Sequence, residues 1–219
     1  MEPGDAVRTW KARRRVTPGQ AEAIERLRPR FGAHVPFART APLVLEIGSG
    51  MGEATAAMAA ADPSLDVLAV EVHTPGVGAL LRRLEEAGLT NVRVAEADGL
   101  DVLRACATGS LEEVRVFFPD PWPKARHGKR RLVTAAFADL VADRLRPGGR
   151  LHVATDSPAY AEQVRAVLAP HPRFGPVDQD RGGRPVTRFE QQGLAAGRRA
   201  HDLRAALLDD SGGSRTAGA

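Results

Sequence analysis

The sequence has one cysteine, Cys106, in 219 residues. A single thiol excludes an intramolecular disulfide and fits a reducing compartment. Lysine is almost as scarce. Of 31 basic residues only Lys11, Lys124 and Lys129 are lysines, so the excess base is arginine, which keeps its proton. The formal charge is only +4 while the pI is about 9.9, a balance that hints at an acidic partner without identifying one. No uninterrupted apolar run is long enough to span a membrane, and the first residues are charged and polar where a signal peptide needs an apolar core. These absences predict a cytoplasmic protein with no membrane attachment. No internal repeat is present, and the length fits one domain with a substantial core and short extensions.

What is present is organised around Phe117 to Arg131, FFPDPWPKARHGKRR. Val114 to Phe118 is apolar enough for a buried strand. Pro119, Pro121 and Pro123 cannot donate ladder hydrogen bonds, so the strand must stop there. Asp120 and Trp122 therefore sit in a stiff loop at the C-terminal end of a strand, the edge where open α/β sheets bind ligands. The run that follows, with Lys124, Arg126, His127, Lys129, Arg130 and Arg131, suits a phosphate backbone, because each Lys or Arg contact can release condensed counterions. A proline turn leading into a solvated basic helix start is the plainer alternative. Trp122 either stacks on a base or packs within the loop.

Residues 1–16 carry Arg8, Lys11, Arg13, Arg14 and Arg15 with Trp10 and too little apolar content for a core. They are expected to form a flexible basic arm, either gripping nucleic acid or simply disordered. Thr17 and Pro18 match an N-cap and first-turn proline for a helix that ends before Pro29. Leu43 to Ile47 is a continuous apolar strand leading into Gly48, Gly50 and Gly52 and an alanine-rich helix, the first βα unit of a parallel sheet. The dinucleotide fingerprint needs its third glycine one place after Gly52, where Glu53 stands. No Walker lysine follows either, so a nucleotide phosphate is a poor candidate. A second strand over 65–72 reaches Glu71, about 20 residues beyond the glycine loop, where α/β cofactor folds place a ribose-binding acid; a surface acid is the alternative. His73 reads as structural.

A third strand over 91–95 leads to Asp98, which either receives an adenine amine or caps the helix beginning at Leu100. Cys106 reads as a small buried side chain. Leu132, Val133, Phe137, Leu140, Val141 and Leu145 repeat at helical spacing. A strand over 150–154 leads to Asp156, either another acid at the ligand edge or part of the cap of the helix opened by Ser157 and Pro158. Pro185 to Glu190 is expected to be a short strand, followed by a helix to Leu208 and a disordered tail over 209–219.

Alternating βα units with acids at successive strand ends predict an α/β fold in a single domain over 17–208: a doubly wound, mostly parallel Rossmann-like sheet with an antiparallel edge strand at Thr187. Several stretches together resemble the bacterial tRNA (guanine-N7-)-methyltransferase family of class I S-adenosylmethionine-dependent enzymes. They are Leu45 to Gly52, Glu71 to Gly78, Phe117 to Arg131, Ala154 to Asp156 and Thr187 to Glu190, with Thr17 to Gln20 near the start. The match covers nearly the whole chain. It implies S-adenosyl-L-methionine as cofactor, held by Glu46, Gly48, Gly50, Gly52, Glu71, Asp98 and Asp120, with Asp120 also catalytic. It further implies that Lys124, Asp156, Thr187, Arg188, Phe189 and Glu190 contact the substrate, and that Arg126, His127, Lys129, Arg130 and Arg131 touch tRNA. Arg188 stands where the family commonly has lysine. Gln192 to Arg198 follow the family pattern only loosely, which leaves the contacts of the C-terminal helix open. No metal-ligand set and no obligatory protein partner are evident.

The activity implied is methyl transfer to N7 of a variable-loop guanine, position 46, in tRNA, giving 7-methylguanosine. Guanine N7 carries an in-plane lone pair and acts as an acceptor, so no general base is required. The alternatives are a methyltransferase for a small molecule or another RNA, and a non-catalytic RNA-binding module with a decayed pocket. The first of these, acting on a small molecule, would leave the basic loop unused.

Overall fold

The computed structural model describes residues 15–122 and 125–209. Most of the expected arm, Lys124, and the tail from residue 210 lie outside them. Thr17 opens helix α1 (Pro18–Phe31) with a capping box: its hydroxyl accepts from the Gln20 N–H, and the Gln20 side chain accepts from the Thr17 N–H. The helix runs through Pro29 rather than stopping before it. Pro29 sits on the exposed face and removes one backbone donor, whereas Leu27 and Phe31 on either side are buried against the sheet. Packing of that apolar face outweighs the lost bond.

The remaining elements are β1 (Leu43–Ile47), α2 (Glu53–Ala61), β2 (Asp66–Val70), α3 (Thr74–Glu86), β3 (Val92–Ala95), α4 (Gly99–Ala105), β4 (Leu111–Phe117), a 3-10 helix over Ala125–Arg130, α5 (Ala135–Arg144), β5 (Leu145–Thr155), α6 (Pro158–Leu168), α7 (Arg188–Ala195) and β6 (His201–Ala206). The six strands lie in the order β3-β2-β1-β4-β5-β6, all parallel except β6, which runs antiparallel to β5. This is the doubly wound α/β sheet that the alternation of elements predicts. Side chains of β1 alternate between its faces: Val44 joins the core of α1 and α3, while Leu45 and Ile47 join that of α5 and α6. Strand order reverses at β1, between β2 and β4, so the chain leaves these neighbouring strands toward opposite faces and opens a crevice. The glycine loop after β1 and the Asp120 loop after β4 border that crevice.

The antiparallel edge is β6, not the stretch at Thr187. Thr187 is the N-cap of α7, accepting from the Glu190 N–H, and Thr-x-x-Glu is the spacing of a helix start rather than a strand. The helix expected after Glu190 up to Leu208 ends at Ala195 with α7, and its later part is instead β6, paired from Thr155↔His201 to Arg150↔Ala206. Leu203 and Ala205 point into the core with period two. Ladder pairing and burial override the helix preference of the local leucine and alanines.

Candidate active site

The C-terminal ends of β1 to β4 open on one cavity of about 900 Å³, and each contributes one acid: Glu46, Glu71, Asp98 and Asp120. The glycine loop forms one wall. Gly48 and Gly50 have φ of 81° and 56°, and a Cβ on either would meet nothing within 4 Å, so their backbone faces open space. Gly52 differs, because its Cβ would lie 2.5 Å from Leu80 Cδ1 and 2.9 Å from Leu80 Cα. Its role is to let α3 pack close to the loop, not to admit a ligand. Glu71 accepts from the Gly50 N–H at 2.7 Å through Oε2 and from the His73 N–H at 2.8 Å through Oε1, which orients the carboxylate at the cavity wall. Asp98 Oδ1 caps α4 by accepting from the Leu100 N–H at 2.8 Å, and Asp98 also lines the cavity.

Glu46 is 1% exposed. Burial pushes its carboxyl up, against the pull of the Arg115 guanidinium, and its Oε2 has no hydrogen-bond partner among the described residues. A buried acceptor without a partner is costly. An open glycine cradle, an oriented carboxylate at Glu71 and a buried acceptor at Glu46 fit a cofactor that carries both a diol and an amine.

Asp120 stands exposed at the cavity, and partial desolvation there pushes its carboxyl up. Phe118 and Trp122, on either side of it, have positive φ of 51° and 43°, a region bulky residues rarely occupy. The opposite wall comes from the start of α7, with Thr187, Arg188 and Phe189 lining the cavity and the Phe189 ring 5.1 Å from that of Phe118. Trp122 lines the cavity and also packs, with the Arg130 guanidinium 5.0 Å from its ring and the His127 ring at 5.8 Å. Arg126, Lys129 and Arg130 are exposed, forming a basic lip beside the cavity.

Three expected contacts lie elsewhere. Glu190 is 5% exposed and pairs with Arg184 and Arg181, each at 2.7 Å; burial alone would raise its carboxyl, but these guanidinium bonds hold it below the usual range. Asp156 pairs with Arg198 at 2.8 Å, and Ser157 rather than Asp156 caps α6. Arg131 is 8% exposed with its guanidinium turned inward, so it faces protein rather than solvent.

A family model described as putative methyltransferase matches residues 40–203. A tRNA (guanine-N(7)-)-methyltransferase of Streptomyces avermitilis is 50% identical over 214 residues, covering 90% of this chain and 74% of that one. One of the same name from Halorhodospira halophila is 49% identical, covering 91% and 94%. The chain belongs to this methyltransferase family. Among solved structures, the 16S rRNA methyltransferase KamB has a TM-score of 0.56 at 17% identity, covering 90% of this chain and 96% of that one. TrmN from Thermus thermophilus has 0.53 at 17%, covering 86% and 48%. At that identity the likeness is one of fold.

In this methyltransferase the residues missed by sequence reasoning are those that shape the site from behind. Arg184 is fully buried, bonded to Asp202 at 2.7 and 2.8 Å and to Glu190 at 2.7 Å, with its guanidinium 5.0 Å from the Phe118 ring. It links β6, α7 and the Asp120 loop. The only signal in the sequence was the density of charge near Arg184, which composition alone does not distinguish from a solvated turn.

Proposed function

We propose that this protein transfers the methyl group of S-adenosyl-L-methionine to N7 of a variable-loop guanine, position 46, in tRNA, giving 7-methylguanosine. One observation carries the reading: acids from four consecutive strand ends share a cavity with an aromatic wall and a basic lip. The cofactor supplies an electrophilic methyl group. Glu71 is oriented to accept from ribose hydroxyls, Asp98 from an adenine amine, and Glu46 from an ammonium group, with Gly48 and Gly50 allowing close approach. Phe118 and Phe189 offer faces for a base, while Arg126, Lys129 and Arg130 meet phosphates. Guanine N7 reacts through a lone pair, so no residue removes a proton. Asp120 helps hold the reacting atoms in line and offsets the positive charge that passes to the base. The N7 edge must be accessible, so RNA fold, read through phosphates and hydroxyls, matters more than local sequence.

The test is to incubate the protein with unmodified tRNA and labelled S-adenosylmethionine and to map 7-methylguanosine by chain cleavage, with Asp120→Ala as control. Label at a variable-loop guanine that disappears in the variant supports the reading. Cofactor binding without label in tRNA overturns it in favour of a small molecule or another RNA as acceptor.

A further inference from the structure

The Asp120 loop has few means of holding itself. Pro119 and Pro121 donate no hydrogen bonds, and Phe118 and Trp122 occupy left-handed backbone. Such a conformation persists only where surrounding groups over-determine it. The Pro121 carbonyl, between Asp120 and Trp122, accepts from Arg131 Nε at 2.8 Å. The same guanidinium donates through Nη1 to Gln163 Oε1 at 2.8 Å and to the Ala159 carbonyl at 3.3 Å, both on α6. Its carbon lies 5.1 Å from the Tyr160 ring centre. Gln163 is fixed in turn by donating to the Val133 carbonyl at 3.0 Å, and the fully buried Tyr160 hydroxyl accepts from the Val133 N–H at 3.0 Å.

We infer that Arg131, seated on Gln163 and Tyr160, is a positioning residue that fixes the Asp120–Trp122 loop against α6, and that it is not a phosphate contact like its neighbours in the basic run. The inference rests on the proposed methyl transfer to tRNA. A planar fork is needed, because one guanidinium must reach a loop carbonyl and a helix side chain in different directions; an ammonium has no such fixed geometry. A phosphate contact would need the guanidinium at the surface, and it is not there.

The experiment compares wild type with Arg131→Gln, Arg131→Lys, Gln163→Leu and Lys129→Ala. It measures turnover and KM for unmodified tRNA across a salt series, and Trp122 emission in a Trp10→Phe background. Arg131→Gln is expected to lower kcat by roughly tenfold or more while the salt dependence of tRNA KM stays parallel to wild type. Gln163→Leu, which removes no charge, should reproduce that loss and add little to Arg131→Gln. Lys129→Ala should instead raise KM and flatten the salt slope by about one. Trp122 emission should shift to the red in the Arg131 and Gln163 variants only. Arg131→Lys retains the charge and serves if the glutamine variant folds poorly; it should still lose turnover. Unchanged turnover in Arg131→Lys and Gln163→Leu, or a flattened salt slope in Arg131→Gln, overturns the inference. Wild-type protein that leaves tRNA unlabelled sinks the functional reading instead, and Trp122 emission then still decides whether Arg131 braces the loop.

Discussion

Glu53 Oε2 accepts the backbone N–H of Arg188 at 2.7 Å, joining the first turn of α2 to the first turn of α7 across 135 residues of sequence. The other carboxylate oxygen of Glu53 accepts from Arg83 at 3.3 Å. The position that breaks the dinucleotide fingerprint thus holds the aromatic and cationic wall of the cavity against the glycine loop. Glu53→Ala should lower kcat/KM for tRNA by roughly tenfold, the scale of one hydrogen bond to a charged group, and leave cofactor affinity nearly unchanged. Equal losses in tRNA and cofactor binding would show that the contact serves the glycine loop instead.

The two kinds of glycine in the loop should separate in experiment. Alanine at either Gly50 or Gly52 meets left-handed strain, but only Gly52→Ala also collides with Leu80. Gly52→Ala should lose a further 1–3 kcal/mol or so of stability from overpacking, seen as a lower urea midpoint. Gly50→Ala should keep more of its stability and weaken cofactor binding roughly tenfold, measured by calorimetry. A reversed pattern would contradict the assignment of Gly52 to helix packing.

Acid should expose the buried network behind α7. Burial alone would raise the Asp202 carboxyl, but Arg184 and His152 bring it down to about 2, below the roughly 3.9 of an unfolded aspartate. A folded value lower than the unfolded one means that stability is fully present above about pH 4 and is lost as pH falls toward 2. Asp202→Asn should therefore cost roughly 3–5 kcal/mol at neutral pH by leaving Arg184 short of a partner. It should also flatten the fall in urea midpoint between pH 4 and 2. Parallel curves for the two proteins would remove Asp202 from the acid response.

Turnover should show no ionisation near neutral pH, since guanine N7 needs no base. The acid limb should belong to Asp120, whose carboxyl is pushed above the usual aspartate range by partial burial; protonation would cancel the charge that stabilises the methylated base. A rate profile at saturating tRNA and cofactor tests this. A steep rise through neutrality would point to a general base and overturn this reading.

Much of the site was legible in the sequence because its parts are local. Apolar runs ending in glycine or proline mark strand ends, and an acid a few residues later then falls at the ligand edge of a parallel sheet. Glu71, Asp98 and Asp120 follow a strand end by three residues or fewer, whereas Glu46, inside β1, is implied by the family resemblance alone; all four share one cavity. Capping chemistry was equally local at Thr17 and Ser157. At Thr187 the same chemistry was present and the density of polar residues obscured it.

Pairing and burial, by contrast, were decided by the tertiary structure. His201 to Ala206 has a helix-tolerant composition and becomes a strand because β5 offers an open edge. Pro29 remains inside a helix because the residues beside it are buried on one face. Above all, the inward turn of Arg131 and the burial of Arg184 depend on partners on distant elements, α6 and β6, and Glu190 is buried against the Arg184 that β6 holds in place. A guanidinium reads the same in sequence whether it meets a phosphate or a carbonyl; only the neighbours that folding brings within about 3 Å decide which.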